Sequence, residues 1–302
     1  MAHNHAHSHG DTGNIRMAFF LNLGFTLLEF AGGIWTNSVA ITADAVHDLG
    51  DSASLGLAWY LERYAQRGAS RTYSYGYGRF SLLGALINAG VLIGGSLFVL
   101  SEAIPRILDT QPTYAPGMIG FAVLGILVNG AAVLRLRRSE GLNAQVVGWH
   151  LLEDVLGWVA VLLVSLVLFF VGDWYILDPL LSVLITLVVL TNAARNLRGV
   201  LRILLQAAPS GIDVTTIDAE LGRIDDVQST HHTHVWSLDG EHHVLTTHLV
   251  VNPDTPKATI VAVKDRARAI AAQLEASHIT VEVEFGDEDC TMRDRPHAEA
   301  AP

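Results

Sequence analysis

One cysteine, Cys290, is all the thiol this chain has, so no disulfide can close within it, as expected of a tail facing a reducing cytosol. Charge is also scarce: 16% of the 302 residues are charged and 50% hydrophobic, with a mean hydropathy of +0.36, too apolar for an ordinary soluble enzyme of this size. Lysine and arginine number 19 against 30 acidic residues, a net charge of −11, which argues against a nucleic-acid partner. The His-Glu-x-x-His motif of helical zinc hydrolases does not occur, and the membrane segments show no internal repeat. The opening "MAHNHAHSHGDTGNIR" lacks the apolar stretch of a cleavable signal.

Long apolar runs are present at about 14–37, 39–62, 80–104, 114–136, 144–171 and 177–205, each long enough to cross lipid as a helix. Six spans, and membrane lipid as a partner, are expected. Arg63, Arg67, Arg71 and Arg79 flank the second loop, Arg135, Arg137 and Arg138 the fourth, and Arg195, Arg198 and Arg202 close the sixth span. Only Arg106 falls in the other loops, so the positive-inside rule puts both termini in the cytoplasm. The expected location is a bacterial inner membrane. Composition changes after "QAAPSG": from Pro209 onward 17 acidic residues face 7 basic ones, so ten of the eleven net negative charges sit on this tail, a balance that attracts cations. The expected organisation is a flexible histidine-rich segment (1–13), a membrane bundle (14–208), a cytoplasmic domain (209–290) and a disordered end (291–302).

The second run contains "ADAVHDLGDS". On a helix Asp44, His47, Asp48 and Asp51 fall within an arc of roughly 100°. A charge at mid-bilayer costs several kcal/mol on insertion scales, so it needs a partner. "VVGWHLLEDVLGWV" in the fifth run offers one, because His150 and Asp154 repeat the i, i+4 spacing of His47 and Asp51. Two nitrogens and two oxygens from facing helices match the tetrahedral preference of Zn²⁺, and two carboxylates balance its charge. Mg²⁺ and Ca²⁺ want six or more oxygens; Cd²⁺ and Co²⁺ are harder to exclude. Asp44 and Asp48 are candidates for orienting the ligands, carrying protons or lining a watery approach. Imidazole binds metal only when neutral, and its reference pKa is about 6.5, so protons and Zn²⁺ compete for the same nitrogens.

Between 213 and 285 the pattern reads helix, strand (228–238), strand (241–251), helix, strand (278–285), a small ferredoxin-like α+β domain of order αββαβ. Asp239-Gly240 marks a two-residue hairpin turn. Closing it sets Leu238 opposite Glu241 and His231 opposite His248, near enough for two imidazoles to share a metal. His232, His234, His242 and His243 could extend that pair. His3, His5, His7 and His9 alternate in the opening segment as a weak zinc trap.

The ordered set "SVAITADAVHDLGDS", "YSYGYGRFSLLGALIN", "HLLED", "DWYILDPLLSVLI" and "HTHVWSLDGEHHVLTTHLVV" resembles the cation diffusion facilitator family over about residues 14–290. The resemblance implies a homodimeric exporter exchanging outbound divalent metal for inbound H⁺, with transport ligands at His47, Asp51, His150 and Asp154. A histidine on both helices resembles the zinc-selective branch. It further implies a cytoplasmic metal site at His231 and His248 with an acidic residue from the last strand, best matched by Glu284. Tyr73 and Tyr77 stand where some relatives place metal-binding histidines, so no metal is expected there. Gln206 stands where some relatives have an acidic partner for the residue at Arg79, which implies a different hinge. The loop "RLRRSEGLNA" is short where some relatives carry a long histidine-rich one. Two other readings are a metal sensor anchored by its spans and an intramembrane metallohydrolase; buried ligands exceed what an anchor needs, and four protein ligands leave no open position for water.

Overall fold

The computed structural model describes residues 11–136, 142–288 and 290, with side chains at 19–57, 60, 61, 64–134, 151–288 and 290. Six long helices come first: α1 (Asp11–Thr36), α2 (Val39–Ala65), α3 (Phe80–Leu108), α4 (Ala115–Leu136), α5 (Leu142–Val171) and α6 (Leu177–Leu204). The remainder is α7 (Val214–Leu221), β1 (Val227–Ser237), β2 (His243–Val251), α8 (Lys257–Gln273) and β3 (Ala276–Phe285). The chain divides into two compact units, one of residues up to 63 with 83–197, the other of residues 64–82 with those from 198 onward.

Among the described residues, five helices of the first group, all but α2, are long and apolar enough to cross a membrane. The run at 39–62, also expected to span, forms a helix of 27 residues whose polar face lowers its hydropathy. Large apolar side chains such as Leu21, Ile34, Leu127, Leu163 and Leu184 lie exposed, as lipid-facing residues must. Lipid gives helices no hydrophobic reason to associate, so close packing decides. Gly125 of α4 meets the Trp158 ring of α5, and Gly95 of α3 meets Val46 of α2; a Cβ at either would overlap its neighbour. The apolar sides of α2 are shared out: Ala40 and Ile41 pack with Met118, Trp158 and Val161, whereas Val39, Ala43 and Val46 pack with Val99 and Ala103.

The start of α2 is fixed from a distance. Asn37 takes up a left-handed conformation (φ 54°), which Asn tolerates better than most residues, and reverses the chain between α1 and α2. Ser38 caps the new helix, its Oγ accepting from the Ile41 amide at 3.2 Å. The buried Asp178 carboxylate of α6 then accepts from Ser38 Oγ at 2.5 Å, the Val39 amide at 2.8 Å and the Ala40 amide at 3.4 Å. A negative charge at a helix N-terminus is the favourable placement.

In the second unit α7 is capped by Asp213, which accepts from Thr215 Oγ1 at 2.7 Å and from the Thr215 amide at 3.0 Å; these exposed bonds hold its carboxyl below the ordinary value. The three strands form one sheet in order β1-β2-β3, with β1 antiparallel and β2 parallel to β3. Ile217 and Leu221 of α7 and Val263, Ala267 and Ala271 of α8 form a core with Val235, Leu245 and Leu249 of the sheet. The expected two-residue turn does not form: Ser237 pairs with His243, and residues 238–242 connect them. Asp239 Oδ1 accepts from the amides of Glu241 (3.0 Å) and His242 (2.8 Å), which widens the loop. Leu238 therefore does not face Glu241. The register slips back at a bulge between His231 and His234, where His232 has φ 53°, and His231 does pair with His248. Two deviations cancel.

The loop before α3 belongs to this unit. Arg79 Nε donates to the Leu238 carbonyl at 3.2 Å, and a Cβ on Gly78 would come within 2.7 Å of Asp239 Oδ2. Tyr73 and Tyr77 lie with ring centroids 4.6 Å apart and planes tilted by 49°, and Tyr73 meets Phe80 edge-on.

Candidate functional site

The polar face of α2 is turned inward: Asp44 and Asp48 are buried and His47 and Asp51 are partly covered. His47 Nε2 stands 3.8 Å from Asp51 Oδ2 on its own helix and 3.7 Å from Asp154 Oδ1 on α5. Two nitrogen or oxygen ligands on one tetrahedral Zn²⁺ lie about 3.3 Å apart. Each of these two pairs would have to close by about half an ångström for its atoms to share an ion. His150 lies on α5 four residues before Asp154, but its side chain falls outside the described residues. His3, His5, His7 and His9 also lie outside them. Gly157 of α5 adjoins Asp44: a Cβ there would meet Asp44 Oδ1 at 3.7 Å.

α1 contributes a polar stripe that the sequence reading passed over. Asn22 Nδ2 donates to the Asp48 carbonyl at 3.2 Å and to Ser52 Oγ at 3.0 Å, and Thr26 Oγ1 lies 3.5 Å from that Ser52 hydroxyl. Glu29, two turns on, is completely buried and feels the carboxylates of Asp48, Asp44 and Asp154. A signal existed: Glu29 is the only acidic residue between 14 and 37, and an ionisable group in a span is functional by default.

A second cluster lies on the sheet. His231 of β1 and His248 of β2 have ring centroids 5.1 Å apart. Glu284 of β3 is buried between them, with Oε1 2.7 Å from His248 Nδ1 and Oε2 3.3 Å from His231 Nε2. Burial pushes its carboxyl up, but hydrogen bonds with Cys290 and His248 and the nearby imidazoles outweigh that and hold it below the ordinary value. Cys290, which the sequence reading used only to exclude a disulfide, has Sγ 3.4 Å from His231 Nε2 and 3.9 Å from His248 Nδ1. One ligand atom from each of His231, His248, Glu284 and Cys290 lies within 4.8 Å of all the others. His232 packs edge-on against His234 and His248, and His242 pairs with Asp239 at 2.7 Å; neither these nor His243 join the group among the described residues.

Residues 15–205 match the cation efflux transmembrane domain and residues 209–285 the cytoplasmic domain of cation efflux proteins. The zinc transporter ZitB of Pectobacterium atrosepticum is 31% identical over 98% of this chain and 94% of its own length. A cadmium, cobalt and zinc/H⁺-K⁺ antiporter of Bacillus velezensis is 32% identical over 94% and 92%. The metal cation efflux system protein CzcD of Cupriavidus metallidurans is 30% identical over 99% and 95%.

Proposed function

Because the chain belongs to the cation efflux family, the cation diffusion facilitators, in its zinc-transporting branch, we propose that it exports Zn²⁺ in exchange for inward H⁺. It is an integral multi-pass membrane transporter of divalent cations, not an enzyme. Cd²⁺ and Co²⁺, named for one relative, are further cargo candidates. The proposed transport site is His47 and Asp51 of α2 with His150 and Asp154 of α5. What supports it is His47 Nε2 standing within 3.8 Å of carboxylates on both helices.

Coupling follows from the ligands. Each imidazole must lose its proton to receive the ion and can regain one when the ion leaves. If the bundle opens alternately to the two sides, the same nitrogens carry metal out and protons in. Two ligands on each helix also make the site sensitive to any sliding of α2 against α5. Asp44 and Asp48, buried beside these ligands, are proposed to orient them or to pass protons.

In this reading α2 joins the five apolar helices as a sixth span, its polar face turned from lipid, and both termini are cytoplasmic in a bacterial inner membrane. Residues 14–208 form the membrane domain and 209–290 a ferredoxin-like cytoplasmic domain through which two copies pair, as the match to the family's dimer domain supports. Residues 1–13 with His3, His5, His7 and His9 are a loose zinc trap, and 291–302 a tail. His231, His248 and Glu284 form a regulatory metal site that responds to cytosolic zinc. Their two nitrogens and one carboxylate fit Zn²⁺; when bound, the ion would fasten β1, β2 and β3 together.

Zn²⁺ and Cd²⁺ flux in proteoliposomes with an imposed pH gradient tests the function. His47→Ala and Asp154→Ala should each abolish flux, while removing residues 2–10 lowers it only slightly. Full flux in either point variant would contradict the assignment.

A further inference from the structure

We propose that Cys290 is the fourth ligand of the cytoplasmic site, making it a closed nitrogen, oxygen and sulfur site for one thiophilic dication, Zn²⁺ or Cd²⁺. The inference rests on the reading of His231, His248 and Glu284 as metal ligands and adds the residue that sets its chemistry.

Distances come first. On a tetrahedral Zn²⁺ an imidazole nitrogen and a thiolate sulfur lie about 3.6 Å apart, and a nitrogen and a carboxylate oxygen about 3.3 Å. Cys290 Sγ is 3.4 and 3.9 Å from the two histidine nitrogens, and His231 Nε2 is 3.3 Å from Glu284 Oε2. The 2.7 Å contact of His248 Nδ1 with Glu284 Oε1 is a hydrogen bond, which an ion shared by both would lengthen by about half an ångström.

The other nitrogen of His248 is also provided for. His248 Nε2 lies 3.3 Å from Glu282 Oε2, the residue paired with it across the parallel strands. With Nε2–H donated to that carboxylate, Nδ1 can give up the proton it shares with Glu284 and turn its lone pair to an ion. A carboxylate behind a ligating imidazole is the usual support of a bound zinc. Glu282 is thus a positioning residue, not a ligand.

Cys290 reaches the site because the chain turns back after β3. The Gly286 amide donates to the Val251 carbonyl at 2.9 Å, the Glu288 amide to the Phe285 carbonyl at 2.9 Å, and the Phe285 amide to Glu288 Oε2 at 3.1 Å. Two neutral imidazoles, one carboxylate and one thiolate carry two negative charges, which neutralise a dication in a site with little exposure. A thiolate favours Zn²⁺ and Cd²⁺ and disfavours Mg²⁺, Ca²⁺ and Mn²⁺.

The test is Co²⁺ titration of the full chain in detergent, because the proposed transport site contains no sulfur. A near-ultraviolet sulfur-to-cobalt charge-transfer band should appear in the parent, vanish in Cys290→Ser, and require about 10–100-fold more Co²⁺ in Glu282→Gln. Visible cobalt bands that disappear in the His231→Ala, His248→Ala double variant, with no charge-transfer band in the parent, would keep the regulatory site and overturn the cysteine ligand. Cobalt binding unaffected by that double variant would overturn both. Independently of any variant, Zn²⁺ or Cd²⁺ should slow alkylation of Cys290 in the parent by at least tenfold; an unchanged rate would overturn the proposal.

Discussion

Asp178→Asn separates charge from shape at the point where α6 holds α2. The aspartate receives three hydrogen bonds, from Ser38 Oγ and the amides of Val39 and Ala40, and is buried. Asparagine keeps one acceptor oxygen, loses the charge and turns an NH₂ group toward a donor. A hydrogen bond to a charged group contributes about 1.5–3 kcal/mol and a carboxylate at a helix N-terminus up to about 2 kcal/mol. These contributions overlap because they share one group, so the expected loss is about 2–4 kcal/mol rather than their sum. Ser38→Ala removes one donor and the helix cap and should lose about 1 kcal/mol. Unfolding in mixed detergent micelles, followed by tryptophan fluorescence, measures both variants and their double combination. The effects should be less than additive, since Ser38 and Asp178 bond to each other. A loss below about 0.5 kcal/mol for Asp178→Asn, or strict additivity, would refute the idea that this carboxylate anchors α2.

Three further outcomes are expected. Gly78→Val should destabilise the contact of the loop with the β1–β2 connection by about 1–3 kcal/mol, because its Cβ would meet Asp239 Oδ2 at 2.7 Å; unchanged hydrogen exchange at residues 238–242 would refute this. Burial pushes the Asp239 carboxyl up, but bonds from the His242 and Glu241 amides and the His242 ring outweigh it and leave it below its ordinary 3.8. The bonds of this depressed acid are complete above the ordinary value and lost as pH falls through the folded one, so protection of those amides should decline only below about pH 3.8, and decline from higher pH would contradict the sign. Glu29→Gln keeps the shape of a fully buried side chain and removes its exchangeable carboxyl proton; Zn²⁺ flux should fall by about tenfold or more, and parental flux would show that α1 is a bystander.

The features legible in the sequence were those governed by local period. The face shared by Asp44, His47, Asp48 and Asp51 needs only the helical repeat, and the echo at His150 and Asp154 needs only its spacing. The pairing of His231 with His248 was reached by a route the structure corrects, since the wider connection at 238–242 and the bulge after His231 each shift register by one residue in opposite senses. The missed residues act through partners far along the chain. Asp178 meets Ser38 across 140 residues, and Cys290 meets His231 across 59 after a turn that no periodicity announces. Glu29 is a lone acid between residues 14 and 37, but which carboxylates it neighbours depends on how α1 packs against α2.

In the proposed transport site one dication is held in the membrane by one imidazole and one carboxylate from each of α2 and α5. Zinc X-ray absorption on the full chain carrying His231→Ala and His248→Ala tests it most directly. Four nitrogen and oxygen neighbours at about 2.0–2.1 Å are expected, two of them imidazoles, falling to one imidazole when His47 is also replaced. A six-coordinate shell, or an imidazole count that ignores His47, would contradict it.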